Sequence, residues 1–316
     1  MSQEGTIVLL REKKLHKKEK VLITGAAGFV GRYASKEFAC NGYEVVGLGW
    51  GKFPDYKSWG LSAWYEAEVS MESLHEFAGM PDIIVHCAGG SSVGYSVDHP
   101  RKDFCLTVDT TSHVLEYIRQ HAPECRLVYP STAAVYGQVK STPISVNAPL
   151  NPISPYGVHK LMAESLCRMY SYDYQLKVSI VRLFSIYGEG LRKQLLWDAC
   201  QKFSSGLNSF FGTGEEVRDW LHVSDAARLL QIASGYASAD CPVVNGGSGK
   251  GGSVKDVLRI LADSMSVECS PVFTSGKKAG DPEVLVADIS EAVAWGWNPK
   301  KEYESGISDY ATWFLQ

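Results

Sequence analysis

Tyr156 and Lys160 stand four residues apart in Tyr156-Gly157-Val158-His159-Lys160, a spacing that puts both on one helix face. A free phenol, with a pKa of about 10, is too weakly ionised to serve as a base at neutral pH. An ammonium beside it favours the phenolate, which can then take a proton from a hydroxyl group. Upstream, Ser131-Thr132-Ala133-Ala134-Val135-Tyr136-Gly137 ends an apolar run. A Thr132 hydroxyl at that strand end would face the same cleft and hold the reacting oxygen. Tyr/Lys pairs also arise on helices that only meet solvent, so this one needs a second element beside it.

That element is Thr24-Gly25-Ala26-Ala27-Gly28-Phe29-Val30-Gly31, with glycine at 25, 28 and 31. It follows the apolar Val21–Thr24 directly and opens a helical stretch, the context a phosphate-binding turn requires. Gly25 permits the tight turn, Gly28 lets a diphosphate approach the backbone, and Gly31 lets the helix pack against the sheet. Phe29 and Val30 start the helix, whose unpaired N–H groups favour phosphate. The pattern predicts a site for NAD or NADP. A positive nicotinamide ring would then lower the Tyr156 phenol further, so that the hydroxyl gives up its proton while hydride leaves the carbon that bears it.

These groups need a sheet to position them. Strands are expected at Val21–Thr24, Tyr43–Leu48, Asp82–Cys87, Arg126–Tyr129 and Val178–Phe184. Helices are expected from the glycine turn to about Asn41, over Lys102–His121 with the stripe Phe104, Val108, Leu115 and Ile118, and over Pro155–Asp173. Strands alternating with helices imply an α/β fold, a doubly wound parallel sheet of the Rossmann kind. The last third reads as loops and isolated helices: Phe211–Val217, the turn-rich Asn245–Gly252, and a helix opened by Ser253 with Asp256 three residues on. It suggests a smaller C-terminal substrate lobe. The expected division is 20–184 with 220–246 for the nucleotide-binding domain, and 185–219 with 247–316 for the lobe. Residues 1–19 read as a solvated leader, an extra strand or a nucleic-acid arm.

Composition narrows the class of partner. The 316 residues are 45% hydrophobic and 21% charged with a net charge of −4, which gives no general attraction to nucleic acid or anionic membranes. No apolar run approaches the ~20 residues that cross a bilayer. Met1–Lys20 lacks the basic-then-apolar order of a signal peptide. The eight cysteines are scattered, with no CxxC pair and no metal-ligand spacing. Free thiols, no metal and a cytoplasmic location are therefore expected.

With its TGxxGxxG turn and YxxxK pair, the chain resembles the short-chain dehydrogenase/reductase superfamily from Val21 to about Asn298. Further stretches are similar to the extended, NAD-dependent epimerase/dehydratase branch that acts on nucleotide sugars. These are His86-Cys87-Ala88-Gly89, Val181-Arg182-Leu183-Phe184-Ser185-Ile186-Tyr187-Gly188, Arg218-Asp219-Trp220-Leu221-His222-Val223-Ser224-Asp225, Asn245-Gly246-Gly247-Ser248-Gly249 and Gly280-Asp281-Pro282. The resemblance implies a catalytic set of Thr132, Tyr156 and Lys160. It implies cofactor contacts at Gly25, Gly28, Phe29, Val30, Gly31, Gly49, Glu68, Val69, Ala88, Gly89 and Phe184, joined by Tyr156 and Lys160. Substrate contacts are implied at Ser91, Thr132, Ala133, Tyr156, Ser185, Arg218 and Asp281. Arg218 would clamp the sugar-nucleotide diphosphate, or else be an ion-pair residue of the lobe. Asp281 would hold the ribose or a neighbouring arginine, or else serve only as a turn residue before Pro282. A homodimer through the helices Lys102–His121 and Pro155–Asp173 is also implied.

Sugar 4,6-dehydratases of this family carry an acidic pair just after the catalytic threonine. Ala133 and Ala134 stand there and cannot transfer protons, which argues against that branch. Ala88-Gly89-Gly90-Ser91-Ser92-Val93-Gly94-Tyr95-Ser96 is similar to the AGxxxVGxS stretch of UDP-galactose 4-epimerases. A C4 epimerase of a nucleotide-diphosphate sugar is the leading expectation. An NADPH-dependent reductase of 4-keto-6-deoxy sugars and a non-enzymatic NAD(P)-sensing protein are the alternatives. Departures from the family pattern bear on cofactor and sugar. The acidic residue after the second strand is Gly49, which no longer repels a 2′-phosphate, and Lys52 follows nearby. The adenine-loop Asp is Glu68, the epimerase lysine is Ser91, the mid-helix Asn is Thr107 and the substrate-loop Asn is Ser185.

Overall fold

The apolar runs predicted as strands lie side by side in one sheet. The computed structural model describes residues 18–139, 141–268, 270–274, 276 and 283–316. Along the chain β1 (Lys20–Thr24) leads to α1 (Phe29–Cys40), β2 (Glu44–Gly49), β3 (Leu61–Glu66), α2 (Met71–Phe77) and β4 (Ile83–His86). Two short helices, α3 (Val93–Asp98) and α4 (Pro100–Phe104), a π-helical turn at Cys105–Asp109, and α5 (Thr110–His121) lead into β5 (Arg126–Thr132). The long α6 (Pro155–Tyr174) precedes β6 (Lys177–Leu183). Short strands and helices follow: β7 (Ser185–Tyr187), α7 (Gln194–Ser204), β8 (Ser209–Phe210), β9 (Val217–His222), α8 (Val223–Ala233) and β10 (Val243–Gly246). The chain ends with β11 (Gly251–Ser253), α9 (Val254–Ser264), β12 (Val272–Phe273), β13 (Val284–Leu285), α10 (Ser290–Ala294) and α11 (Tyr303–Phe314).

Seven strands form the main sheet in the order β10-β6-β5-β4-β1-β2-β3, every neighbouring pair parallel. All strand C-termini therefore meet one edge. The order reverses at β1, which pairs β2 on one side and β4 on the other, and ligands enter such sheets at the reversal. Alternate residues feed opposite layers. Val21, Ile23, Ile83, Val85, Val128 and Val181 pack with Phe38 of α1 and Leu229 and Leu230 of α8. Leu22, Ile84, Leu127 and Ile180 pack with Leu115 and Ile118 of α5 and Cys167 of α6. Burial on both faces explains why these strands read as continuous apolar runs.

The structure corrects several expectations. Lys102–His121 is not one α-helix: the segment starts at Pro100 and widens into the π-helical turn before α5. Such a turn re-aims side chains, and here the Thr107 hydroxyl accepts from the Gly90 N–H at 2.9 Å. An edge strand, β3, joins the sheet with only Leu61 fully buried. The turn-rich Asn245–Gly252 is divided between β10, which completes the main sheet, and β11. The last third holds more than loops and helices. Strands β11, β9 and β13 form a second sheet, with β7 also on β9, and β8 pairs β12. Tyr187, Leu196, Phe203, Trp220, Leu258 and Ile307 form its core. Strand β9 runs through the expected boundary between Asp219 and Trp220. The Ser253 hydroxyl accepts from the Asp256 N–H at 3.1 Å, capping α9 as expected. Residues 1–17 of the expected leader, and Asp281, lie outside the described residues.

Candidate active site

At the C-terminal edge of the main sheet lies a cavity of about 2260 Å³. A single small-molecule site occupies roughly 300–1,000 Å³, so this one has room for a dinucleotide and a second large ligand. The glycine turn forms one wall. Gly25 has a φ of 68°, and a Cβ there would lie 2.7 Å from the Ala88 nitrogen. A Cβ on Gly31 would lie 2.2 Å from the Gly25 carbonyl oxygen, so α1 packs onto the turn only because residue 31 has no side chain. Gly28 is the N-cap of α1 with no side-chain cap, which leaves the first helical N–H groups for a ligand. Phe29 and Val30 continue this wall. The turn fits a dinucleotide diphosphate.

Gly49, Glu68 and Val69 line one end of the cavity, beside Trp50. Ala88, Gly89 and Phe184 line its middle. The Ala88 N–H donates to the Thr24 hydroxyl at 3.3 Å, and that hydroxyl shares a 2.7 Å hydrogen bond with His86 Nδ1. Burial, reinforced by the Lys160 charge, lowers the His86 pKa to about 3, so its ring is neutral.

Thr132 ends β5, Tyr156 and Lys160 lie one turn apart on α6, and all three line the cavity. The start of α6 is fixed locally: Pro155 takes its first position and the Ser154 hydroxyl accepts from the Gly157 N–H at 3.2 Å. The Tyr156 N–H donates to the Ser96 hydroxyl at 3.0 Å, which ties this turn to α3. Burial pushes the Tyr156 phenol up to about 12; a hydrogen bond with Thr132 pulls it down and the Asp103 charge pushes it up. Lys160 is 6% exposed. Its Nζ donates to the Pro130 carbonyl at 3.0 Å and lies 4.8 Å from the centre of the Tyr129 ring. Burial lowers its ammonium to about 8, against the attraction of Cys87, Asp103, Glu164 and Cys167. Among the chain's own groups burial therefore leaves the phenol above its ordinary value.

Sequence reasoning did not single out the buried network behind these residues. Glu164 follows Lys160 by one more turn of α6 and is fully buried. Its carboxylate accepts from Arg182 Nε at 3.0 Å and Nη2 at 2.7 Å, and from the Ser131 hydroxyl at 2.6 Å. Arg182 Nη1 also donates to the Tyr136 hydroxyl at 3.0 Å. That hydroxyl in turn donates to Asn245 Oδ1 at 2.7 Å, and Asn245 Nδ2 donates to the Ile144 carbonyl at 2.7 Å. The network joins β5, α6, β6 and β10 directly behind Thr132.

Ser91, Ala133, Ser185 and Arg218 line the lobe side of the cavity. Arg218 Nη1 donates to the Val217 carbonyl at 2.9 Å. Lys193, at the start of α7, also lines this side and was not singled out from the sequence. Its Nζ donates to the Ser91 hydroxyl at 2.8 Å, and partial burial lowers its pKa. A cation thus stands beside Ser91, supplied by a different loop. All the expected site residues that fall among the described residues line this one cavity. Among the described residues, no helix is long and apolar enough to cross a membrane.

The model of the NAD dependent epimerase/dehydratase family matches residues 21–241. The UDP-glucose 4-epimerase of Azospirillum brasilense is 32% identical, over 91% of this chain and 89% of its own length. The crystal structure of UDP-glucose 4-epimerase from Thermotoga maritima with UDP-glucose has a TM-score of 0.83 at 25% identity, covering 94% of this chain and 98% of that one. The same enzyme from Brucella ovis, in complex with NAD, also gives 0.83 at 25% identity, with coverage of 94% and 98%.

Proposed function

Because the chain belongs to the NAD dependent epimerase/dehydratase family, we propose that it is an NAD-dependent 4-epimerase of a nucleotide-diphosphate sugar. The observation that carries this reading is the single cavity shared by the glycine turn, Thr132, Tyr156 and Lys160, and the lobe residues Ser91, Ser185 and Arg218. The similarity to UDP-glucose 4-epimerases, one with UDP-glucose and one with NAD, supports it.

Bound NAD would supply a hydride acceptor and donor and a positive ring beside the phenol. Gly25, Gly28, Phe29, Val30 and Gly31 hold its diphosphate at the start of α1. Gly49, Glu68 and Val69 would border the adenosine, and Ala88, Gly89 and Phe184 the nicotinamide end. The Thr132 hydroxyl holds the oxygen on carbon 4 of the sugar. Tyr156 takes the proton of that hydroxyl and returns it once the keto sugar has turned its other face. Since burial and the Asp103 charge outweigh the Thr132 hydrogen bond and leave the phenol at about 12, its ionisation depends on the positive charges of Lys160 and of the nicotinamide. Arg218 and Lys193 hold the diphosphate while the sugar moves, and the small Ala133 and Ser185 leave it room. Ala133 and Ala134 provide no acid or base for the loss of water, so a dehydratase does not fit. The division into a cofactor domain (20–184 with 220–246) and a sugar-nucleotide lobe (185–219 with 247–316) belongs to this reading. So does a homodimer through α4–α5 and α6, on which Val158, Met162 and Met169 are exposed.

The test uses UDP-, dTDP-, GDP- and CDP-hexoses without added cofactor, followed through their anomeric NMR signals. C4 epimers should interconvert with no net change in reduced cofactor. Stoichiometric NADPH consumption on a 4-keto-6-deoxy sugar nucleotide, with no interconversion, would establish a reductase instead. Gly49 is the observation that favours this second reading, since a reductase exchanges its cofactor every turnover.

Gly49 also sets an expectation for the cofactor. A Cβ there would lie 3.2 Å from both Gly25 Cα and the Trp64 indole, so these groups border the space a carboxylate would take. With nothing at residue 49 to repel a 2′-phosphate, the dissociation constants for NAD and NADP should agree within about tenfold by calorimetry. A preference for NAD of about a hundredfold or more would place the ribose contact on another group.

A further inference from the structure

His159 lies on α6 between Tyr156 and Lys160, and its Nδ1 is 2.6 Å from Asp103 Oδ2 on α4. Asp103 is fully buried, whereas the His159 side chain is 12% exposed and packs edge-on against Phe104. The second oxygen of Asp103 has no hydrogen-bond partner among the described residues. It presses on Gly90, where a Cβ would lie 2.0 Å from it and 3.0 Å from the Thr107 hydroxyl. One residue earlier, a Cβ on Gly89 would be 3.7 Å from both the Thr107 hydroxyl and Lys160 Nζ. The carboxylate, the Thr107 hydroxyl and the Lys160 ammonium therefore gather around Gly89 and Gly90. The π-helical turn after Phe104 aims Thr107 at this place.

We propose that Asp103, held in place by His159, is a positioning residue that sets the pH range in which Tyr156 and Lys160 work. The proposal rests on the reading of Tyr156 as the acid/base group. A buried carboxylate with an unpaired oxygen acts strongly on its near neighbours, because little water screens it. The neighbours from other elements do not cancel it. On α6 the carboxylate of Glu164 is matched by Arg182. At the end of β4 the His86 ring is neutral and burial keeps the Cys87 thiol protonated. On β5 the Tyr129 phenol is likewise held neutral by burial, and Thr132 carries no charge. The Asp103 charge acts on both members of the pair in the same sense, raising Tyr156 and Lys160. It thereby opposes the effect of burial on Lys160, together with Cys87 and Glu164.

The sign of the test follows. The acid limb of kcat/KM reports phenolate formation and the alkaline limb reports loss of the ammonium, both as values of the coupled pair. Asp103→Asn removes the charge, so both limbs should move to lower pH by roughly half to one unit. His159→Leu removes the donor that fixes the carboxylate beside the pair and should move the limbs the same way. His159→Asn keeps an N–H donor near the Nδ1 position and should keep the parental limbs. The profiles are measured on the full chain saturated with NAD. Ring-carbon NMR of labelled tyrosine runs alongside, with Tyr156 assigned by its loss in Tyr156→Phe. Unmoved limbs with only a lower maximum, in Asp103→Asn, would reduce the pair to a packing role and overturn the proposal. A displaced profile in His159→Asn would remove the hydrogen-bond role of His159. If no sugar nucleotide is turned over, the NMR titration of Tyr156 still decides the proposal, while the epimerase reading fails separately.

Discussion

Replacing Tyr156 by Phe lowers turnover of the sugar nucleotide by at least about 10²-fold and leaves the dissociation constant for NAD nearly unchanged. The substitution removes one oxygen and keeps the ring. The hydrogen bond with Thr132 is lost, but the backbone tie of Tyr156 to Ser96 and the glycine turn are untouched. On the proposed mechanism, what is lost is the group that moves the proton of the sugar hydroxyl, which matters only as the bond to hydrogen breaks. The Thr132 hydroxyl stays in place and cannot substitute, because it can hold an oxygen but is far too weak a base. The measurement is kcat by NMR or a coupled assay, beside calorimetric binding of NAD. A turnover within a few-fold of the parent would take Tyr156 out of the mechanism.

Replacing Glu164 by Ala destabilises the chain by about 3–5 kcal/mol, the size expected when one partner of a buried ion pair is removed. Arg182 is 1% exposed and would keep its charge without the carboxylate that accepts two of its N–H groups. The Ser131 hydroxyl would lose its acceptor in the same step. In a chain of this size the melting temperature should fall by roughly 5–7 °C. Glu164→Gln should cost less, since its amide oxygen can still accept from Arg182 or Ser131. A loss under about 1 kcal/mol would mean that solvent reaches Arg182 once the carboxylate is gone.

The sheet was legible because buried parallel strands concentrate valine, leucine and isoleucine, and because the glycine turn follows one of them directly. Strand β3 was not, since Leu61-Ser62-Ala63-Trp64-Tyr65-Glu66 lies at an edge and mixes polar with apolar residues. The break in the helix before α5 was equally hidden: a π-helical turn inserts no telltale proline or glycine into Cys105-Leu106-Thr107-Val108-Asp109. Tyr156, Lys160 and Thr132 could be placed together because helix spacing and a strand end are local properties. The phenol's high pKa could not be read that way, because burial depends on what the fold stacks over α6. Lys193 and Asp103 escaped for the same reason. Their relevant neighbours, Ser91 and His159, are far away in sequence and close only through the loops at the sheet edge.

The hydrogen bond between Tyr136 and Asn245 spans 109 residues. A ribosome adds roughly 5–20 residues per second, so the loop after β5 waits on the order of ten seconds for its partner to be made. For most of that interval Thr132, Tyr156 and Lys160 already exist, yet β10, which closes the edge of the sheet beside β6, does not. The nascent chain therefore carries an open strand edge and an untethered loop until Val243–Gly246 emerges. The last strand of the main sheet to arrive fastens the loop that follows Thr132.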